Sequence, residues 1–305
     1  MTAAANLFTP ARYDESITRL VLGVELLDAL DATETYAGGR YPHPVTVLDE
    51  RHPAPLHRWR RWPAGATLDD ALTGPQQHRS GRFAWLLRGD PPVGDPQDED
   101  RTVRIVEPRS GARRRLVPRR LRLRLFDDPP PDGPPDPLWH RIFRVGLFPG
   151  AGLEPGGGAS VLRGRVMRKD ANGVPRPVRW ARVVARDEHD DLGWAHGDDR
   201  GEFLLVLGIP AAAATVPADP MQVELAVTVP PPVVVDPADV LLTTVDPLWD
   251  LPVQTVVAMS EPPSDPLTDP VLTGRGPWPG PELGPFGVSV PLGRETSVAL
   301  ELPAP

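Results

Sequence analysis

A proline at about every seventh position is the feature that most limits this fold. The chain has 42 prolines in 305 residues. Each one fixes φ and removes a backbone donor, so long uninterrupted helices are ruled out over most of the sequence. Between the prolines lie short apolar runs of period two, which predict strands joined by stiff turns. With 40 % apolar residues the chain can still fill a core, and its length suggests two folded units.

Strands are predicted at RLVLGVELLDAL (19–30), PVTVLDE (44–50), RFAWLLR (82–88), TVRIVE (102–107) and RRLRLRLF (119–126). In the first run Leu20, Leu22, Val24 and Leu26 share one side; Gly23 and the β-branched Val21 and Val24 favour strand over helix. AGGRYPHP, LTGPQQHRSG, GDPPVGDPQDED and PRSG read as turns. The segment DDPPPDGPPDP, followed by an apolar stretch and by PGAGLEPGGGAS, predicts a linker over 127–160. A second β unit starts at 161. Ala181, Val183 and Ala185 alternate there with Trp180, Arg182 and Val184, and Phe203, Leu205 and Leu207 share a face. PVQTVVAM (252–259) and ETSVALEL (295–302) are read as completing this second unit, and the Pro-rich stretch 260–287 between them as a long extended loop.

Several chemistries lack their raw material. Without cysteine there are no disulfides, zinc–thiolate sites, iron–sulfur clusters or cysteine nucleophiles. G-x-S-x-G, the P-loop and the dinucleotide fingerprint are absent, and the single lysine, Lys169, lies in a polar turn. The reading is therefore non-enzymatic, with no cofactor. The start of the sequence has no signal-peptide pattern and no long apolar run occurs, which predicts a cytoplasmic chain that engages neither membrane nor nucleic acid.

The stretch ARDEHDDLGWAHGDDRGEF (185–203) holds two histidines and seven acidic residues. His189, His196 and Asp198 are the candidate metal ligands, and a hydrolase centred on His189 and His196 is the catalytic alternative. No regular ligand spacing accompanies them, so solvated turn residues are the preferred reading. Trp59, Trp62 and Trp85 are the residues that would line the pocket of a ligand- or carbohydrate-binding module. The third candidate is an arginine stripe, Arg120, Arg122 and Arg124, alternating with leucines and predicted to face outward toward a protein partner. Charge distribution supports that reading: residues 1–125 carry 20 basic and 16 acidic side chains, whereas 201–305 carry 2 and 13. Opposite fields of this kind attract, within one chain or between neighbours.

A first strand with internal Gly164, a loop ending at Pro177, the Ala181-x-Val183 strand, and a polar turn with Gly201 before Phe203 together resemble the carboxypeptidase regulatory-like (transthyretin-like) β-sandwich over residues 160–229. His196, Gly197 and Asp198 stand where that family usually has a threonine before the turn. The resemblance implies a binding or spacing module without catalysis of its own. The expected architecture is all-β: an N-terminal antiparallel sandwich (1–126), a linker (127–160), and a transthyretin-like or Ig-like sandwich with a Pro-rich extension (161–305). The expected role is structural or protein-binding, in self-association or in a cytoplasmically assembled particle of the phage-tail-like or contractile injection kind.

Overall fold

The computed structural model describes residues 18–33, 35–50, 72–77, 82–88, 100–107, 114–124, 141–188, 190–208, 220–231, 246–256, 265–274 and 280–304. The chain is built almost wholly of β-strands. In order they are β1 (Thr18–Asp28), β2 (Thr46–Asp49), β3 (Leu72–Gln77), β4 (Phe83–Arg88), β5 (Asp100–Val106), β6 (Arg119–Arg124), β7 (Ile142–Leu147), β8 (Ser160–Lys169) and β9 (Pro175–Pro177). There follow β10 (Arg182–Arg186), β11 (Asp191–His196), β12 (Glu202–Leu207), β13 (Met221–Thr228), β14 (Val253–Thr255), β15 (Glu282–Val290) and β16 (Glu295–Leu302). One short helix, α1 (Pro270–Thr273), is started by Pro270 and by the Asp269 carboxylate, which accepts from the N–H groups of Val271 and Leu272.

The strands form four sheets: β3-β4-β1-β7, β14-β6-β5-β2, β11-β10-β13-β15, and β12-β8-β16 with β9 paired to the end of β8. The first two share one core, in which Leu22, Val24 and Leu26 meet Trp85, Val103, Ile105, Leu121, Leu123, Val145 and Leu147. The last two share another, in which Leu162, Val166, Phe203 and Leu205 meet Val183, Ala185, Val223, Leu225 and Leu300. In both cores the inward residues are those that period-two alternation selects.

Four expectations about the chain path are corrected. Residues 142–147, assigned to the linker, are β7, which pairs with β1 and sends Val145 and Leu147 into the first core. The strand at 253–255 does not complete the second unit; β14 runs beside β6, and Val256 and Val271 join the first core. The chain thus leaves the second set of sheets after β13, crosses to the first, and returns for β15 and β16. Residues 282–287, expected within a loop, are part of β15. It lies at the edge of its sheet, where Pro285 costs no ladder bond to a further strand, and a register shift in the pairing accommodates the local mismatch with β13. Finally, three of the four sheets are mixed rather than purely antiparallel: β1–β7, β14–β6 and β16–β8 are parallel. Parallel neighbours need long connections, and each of these pairs is far apart in sequence. The linker's proline cluster, 127–137, lies outside the described residues.

Candidate functional site

The polar stretch 185–203 is a hairpin followed by a turn. β10 and β11 pair antiparallel, with Arg182 opposite His196 and Val184 opposite Trp194. Residues 191–196 are therefore strand, not turn, and this corrects the expectation for His196. The residues that follow do behave as expected. Asp198 Oδ1 accepts the N–H groups of Arg200 and Glu202 at 2.8 and 2.9 Å, and Gly201 sits at φ 71°. Burial raises the Asp198 pKa, and those two backbone donors oppose the rise. Its carboxylate organises the turn before β12. His189 lies outside the described residues, and among those described no three His, Cys, Asp or Glu side chains gather as metal ligands.

His196 belongs to a different setting. Ala181, Val183 and Ala185 of the β10 segment face the second core, so Arg182 and the cross-strand His196 point away from it, toward the first set of sheets. There the His196 ring packs 4.2 Å from that of Phe148, and Trp194 joins Ala29, Val117 and Phe148 in a small apolar cluster. Trp194 Nε1 donates to the carbonyl oxygen of Thr273, at the end of α1. The seam is extended by Asp250, which accepts from Arg179 and from Trp180 Nε1, and by Arg114, which meets Asp199 at 3.1 Å. Trp180, Leu248, Leu251 and Val106 form a further apolar contact across it.

The centre of the seam is a cavity of about 50 Å³, lined among others by Arg119, Arg182, His196, Gln254, Trp180 and Gly274. Arg119 comes from β6. Its guanidinium donates to the carbonyl oxygens of Gly146 and Val271 and to the side-chain oxygen of Gln254. All three acceptors are neutral. Burial pushes Arg119 down to about 10. Burial, and then the charge of Arg119, push Arg182 down to about 9. Both remain cations at neutral pH. His196 is held well below the ordinary histidine value of 6.5, first by burial and then by Arg182 and Arg119. Its Nε2 is buried and, among the described residues, has no hydrogen-bond partner.

That imidazole makes stability depend on acid. Below about pH 6.5 the unfolded chain binds a proton at His196 that the folded chain refuses. The neutral ring's contribution is therefore complete above that pH and is lost as the pH falls toward the depressed folded value. Melting temperatures at pH 8 and pH 5 should differ more for the wild type than for His196→Gln; equal falls in the two proteins would contradict the assignment.

The arginine stripe is only partly outward. Arg120 pairs with both carboxylate oxygens of Glu50 at 2.7 Å, and Arg104, opposite Arg120 across β5 and β6, bridges Glu50 to Asp246. Arg120 is thus engaged within the chain, which corrects its assignment as an outward partner residue. Arg122 is exposed. The side chain of Arg124 lies outside the described residues. The Arg104–Asp246 pair joins one acidic residue of the C-terminal third to the basic N-terminal region. Trp85 is fully buried, with Nε1 donating to Asp49; Trp59 and Trp62 lie outside the described residues.

Sequence reasoning missed Arg119. It adjoins the stripe but precedes its alternation, and only the return of residues 253–274 onto the first sheets gives it a role. Among the described residues, no helix is long and apolar enough to cross a membrane. No protein-family model and no curated protein matches the chain. A solved structure, "The Bacillus anthracis TIE protein", aligns with 94 % of this chain and 34 % of its own length, at 7 % identity and a TM-score of 0.23. The chain therefore spans about a third of that protein, and so low a likeness carries no argument about function.

Proposed function

We propose that this chain is a non-catalytic structural or protein-binding element made of two β-sandwich domains held as one rigid piece, the second of the carboxypeptidase regulatory-like kind. The observation that carries this reading is the crossing segment: β14 and α1 leave the second set of sheets, pair with or pack on the first, and are clamped there by Arg119. A chain that commits a strand, a helix and a buried arginine to holding two halves together keeps a fixed spacing between its outer surfaces. Such fixity suits a component of an assembled particle, and the absence of cysteine suits assembly in the cytoplasm. Phage-tail-like and contractile injection particles are the class of assembly proposed.

With Arg120 occupied by Glu50, the exposed arginine of the stripe among the described side chains is Arg122, and the proposed partner-binding role rests on it. Replacing Arg122 by Ser should leave far-UV circular dichroism unchanged, because its exposed side chain lies outside the apolar core, and should weaken association with the particle at low salt. The measurement is co-sedimentation from native extract at low and high salt. Wild-type protein that sediments as a free chain in both conditions would contradict the structural role, and identical sedimentation of wild type and variant would remove the stripe from it.

A further inference from the structure

We infer that the open edge of β16 is a self-association surface, on which a second copy of this chain pairs antiparallel through its own β16 to make one sheet across the two molecules. Unpaired strand edges attract further strands, and folded chains blunt them with proline, shortness, bulges or cover. Among the described residues every other sheet edge carries such a device. β3 holds Pro75 and β15 holds Pro285, each at a register shift in its pairing. β2 is four residues long, β14 is three, and β9 is three with two prolines. β11 and β12 close on each other, the Gly208 N–H after β12 donating to the Leu192 carbonyl oxygen. β7 gives its Gly146 carbonyl to Arg119 and leads directly into backbone bonds with residues 115 and 117. β16 has none of these protections: it runs for eight residues without proline, glycine or lysine and, among the described residues, pairs with β8 alone.

The backbone of that edge is set for a partner. The Val161 N–H donates to the Arg294 carbonyl oxygen, so in this parallel pair the even-numbered residues of β16 turn their backbone groups to β8. Ser297, Ala299 and Glu301 turn theirs to the open side. β15 lies beside β16 on the facing sheet, and Phe286, Val288 and Val298 are only partly buried against the second core, so apolar surface remains on this flank. Pairing with a second copy has one unobstructed register. Centred on Val298, Glu295 falls opposite Glu301, and like charges directly across a ladder destabilise it. Centred on Leu300, Ser297 falls opposite Pro303, which has no N–H to give. Centred on Ala299, that residue meets its own copy, Ser297 meets Glu301, and Val298 meets Leu300 on the inward face. The strand is then its own complement, which selects a second copy as the occupant, and a two-fold contact of this kind closes at the dimer. The dimer names a partner for the protein-binding role proposed above and rests on that reading.

The test is sedimentation velocity of the purified full chain across a concentration series. The expected result is a monomer–dimer equilibrium for the wild type, with a dissociation constant at least about tenfold higher in Ala299→Pro, because each copy loses an open-edge donor while the bonds to β8 remain. Circular dichroism checks folding, and Ala299→Glu, which sets like charges opposite each other, serves as the second variant if Ala299→Pro does not fold. A wild type that stays monomeric throughout, assemblies that grow beyond the dimer, or a dimer equally tight in either folded variant would overturn the inference. The purified chain contains no particle, so failure here is distinct from failure of the structural role, which is read by co-sedimentation from extract.

Discussion

Gly146→Ala is expected to unseat the crossing segment and to cost about 3 kcal/mol, at the upper end of what overpacking of a native interior does. Gly146 lies between Val145 and Leu147, which face the first core, so its own Cα faces the other way, where α1 lies across β7. A Cβ there would fall inside the contact distance of the Leu272 carbonyl oxygen, 2.9 Å from its carbonyl carbon and 3.1 Å from Ala29 Cβ. The first two obstacles are backbone and cannot rotate away. The carbonyl of Gly146 also accepts from Arg119, which bonds Val271 as well, so displacing α1 pulls on the arginine that lines the seam cavity. The melting temperature should fall by roughly 6–12 °C. Tryptophan emission should shift to the red as Trp194 Nε1 loses the Thr273 carbonyl. Gly157→Ala is the control, since nothing lies within 4 Å of an added Cβ there, and its effect should stay within about 0.5 kcal/mol. Equal stability of the two variants would mean that α1 does not rest on β7.

This crossing is also where the sequence reveals least. Alternation identifies which residues of 182–186, 202–207 and 221–228 face inward, because side-chain direction in a strand is a local property. Partnership between strands is not local. PVQTVVAM reads equally well against either set of sheets, and what selects β6 is the fit of Val256 and Val271 into the first core together with the hydrogen bonds of Arg119. β7 was hidden for a related reason. Its flanks, DPPPDGPPDP and PGAGLEPGGGAS, have the composition of a linker, while the strand between them is only six residues long.

The candidate site divides in the same way. Asp198 and Gly201 are legible, since an aspartate capping a turn and a glycine at positive φ leave a sequence signature. His196 is visible as a histidine in an acidic stretch, and that context misleads. In the fold its neighbours are not the carboxylates beside it in sequence but Arg182 across the hairpin and Arg119 from some 77 positions earlier. A charge environment assembled by distant strands has no linear trace, so a local count of acidic residues suggested a cation site where the fold gathers cations of its own.

The other large effect is expected at the strand whose internal glycine supports the resemblance of residues 160–229 to the regulatory-like sandwich. Leu162, Gly164 and Val166 face the second core, and Gly164 is opposite Phe203 on β12 and Val298 on β16. The Phe203 ring occupies the space a side chain at 164 would fill: an added Cβ would stand 2.6 Å from Phe203 Cε1 and 2.7 Å from Val298 Cγ1. Gly164→Ala should therefore destabilise the fold by about 2–3 kcal/mol. Phe203→Leu alone should cost about 1–2 kcal/mol, because it shortens a fully buried side chain and leaves part of its volume empty. Combined, the changes should compensate, the new methyl entering space the ring has vacated. The double variant should then be more stable than the sum of the single losses predicts by about 1 kcal/mol, within the range of coupling for residues in contact. Val298 keeps the rescue partial, and adding Val298→Ala should extend it. Urea denaturation of the four proteins of the cycle measures this directly. Strict additivity would show that Phe203 is not seated over Gly164, and with that the physical basis for the glycine in this strand would be lost.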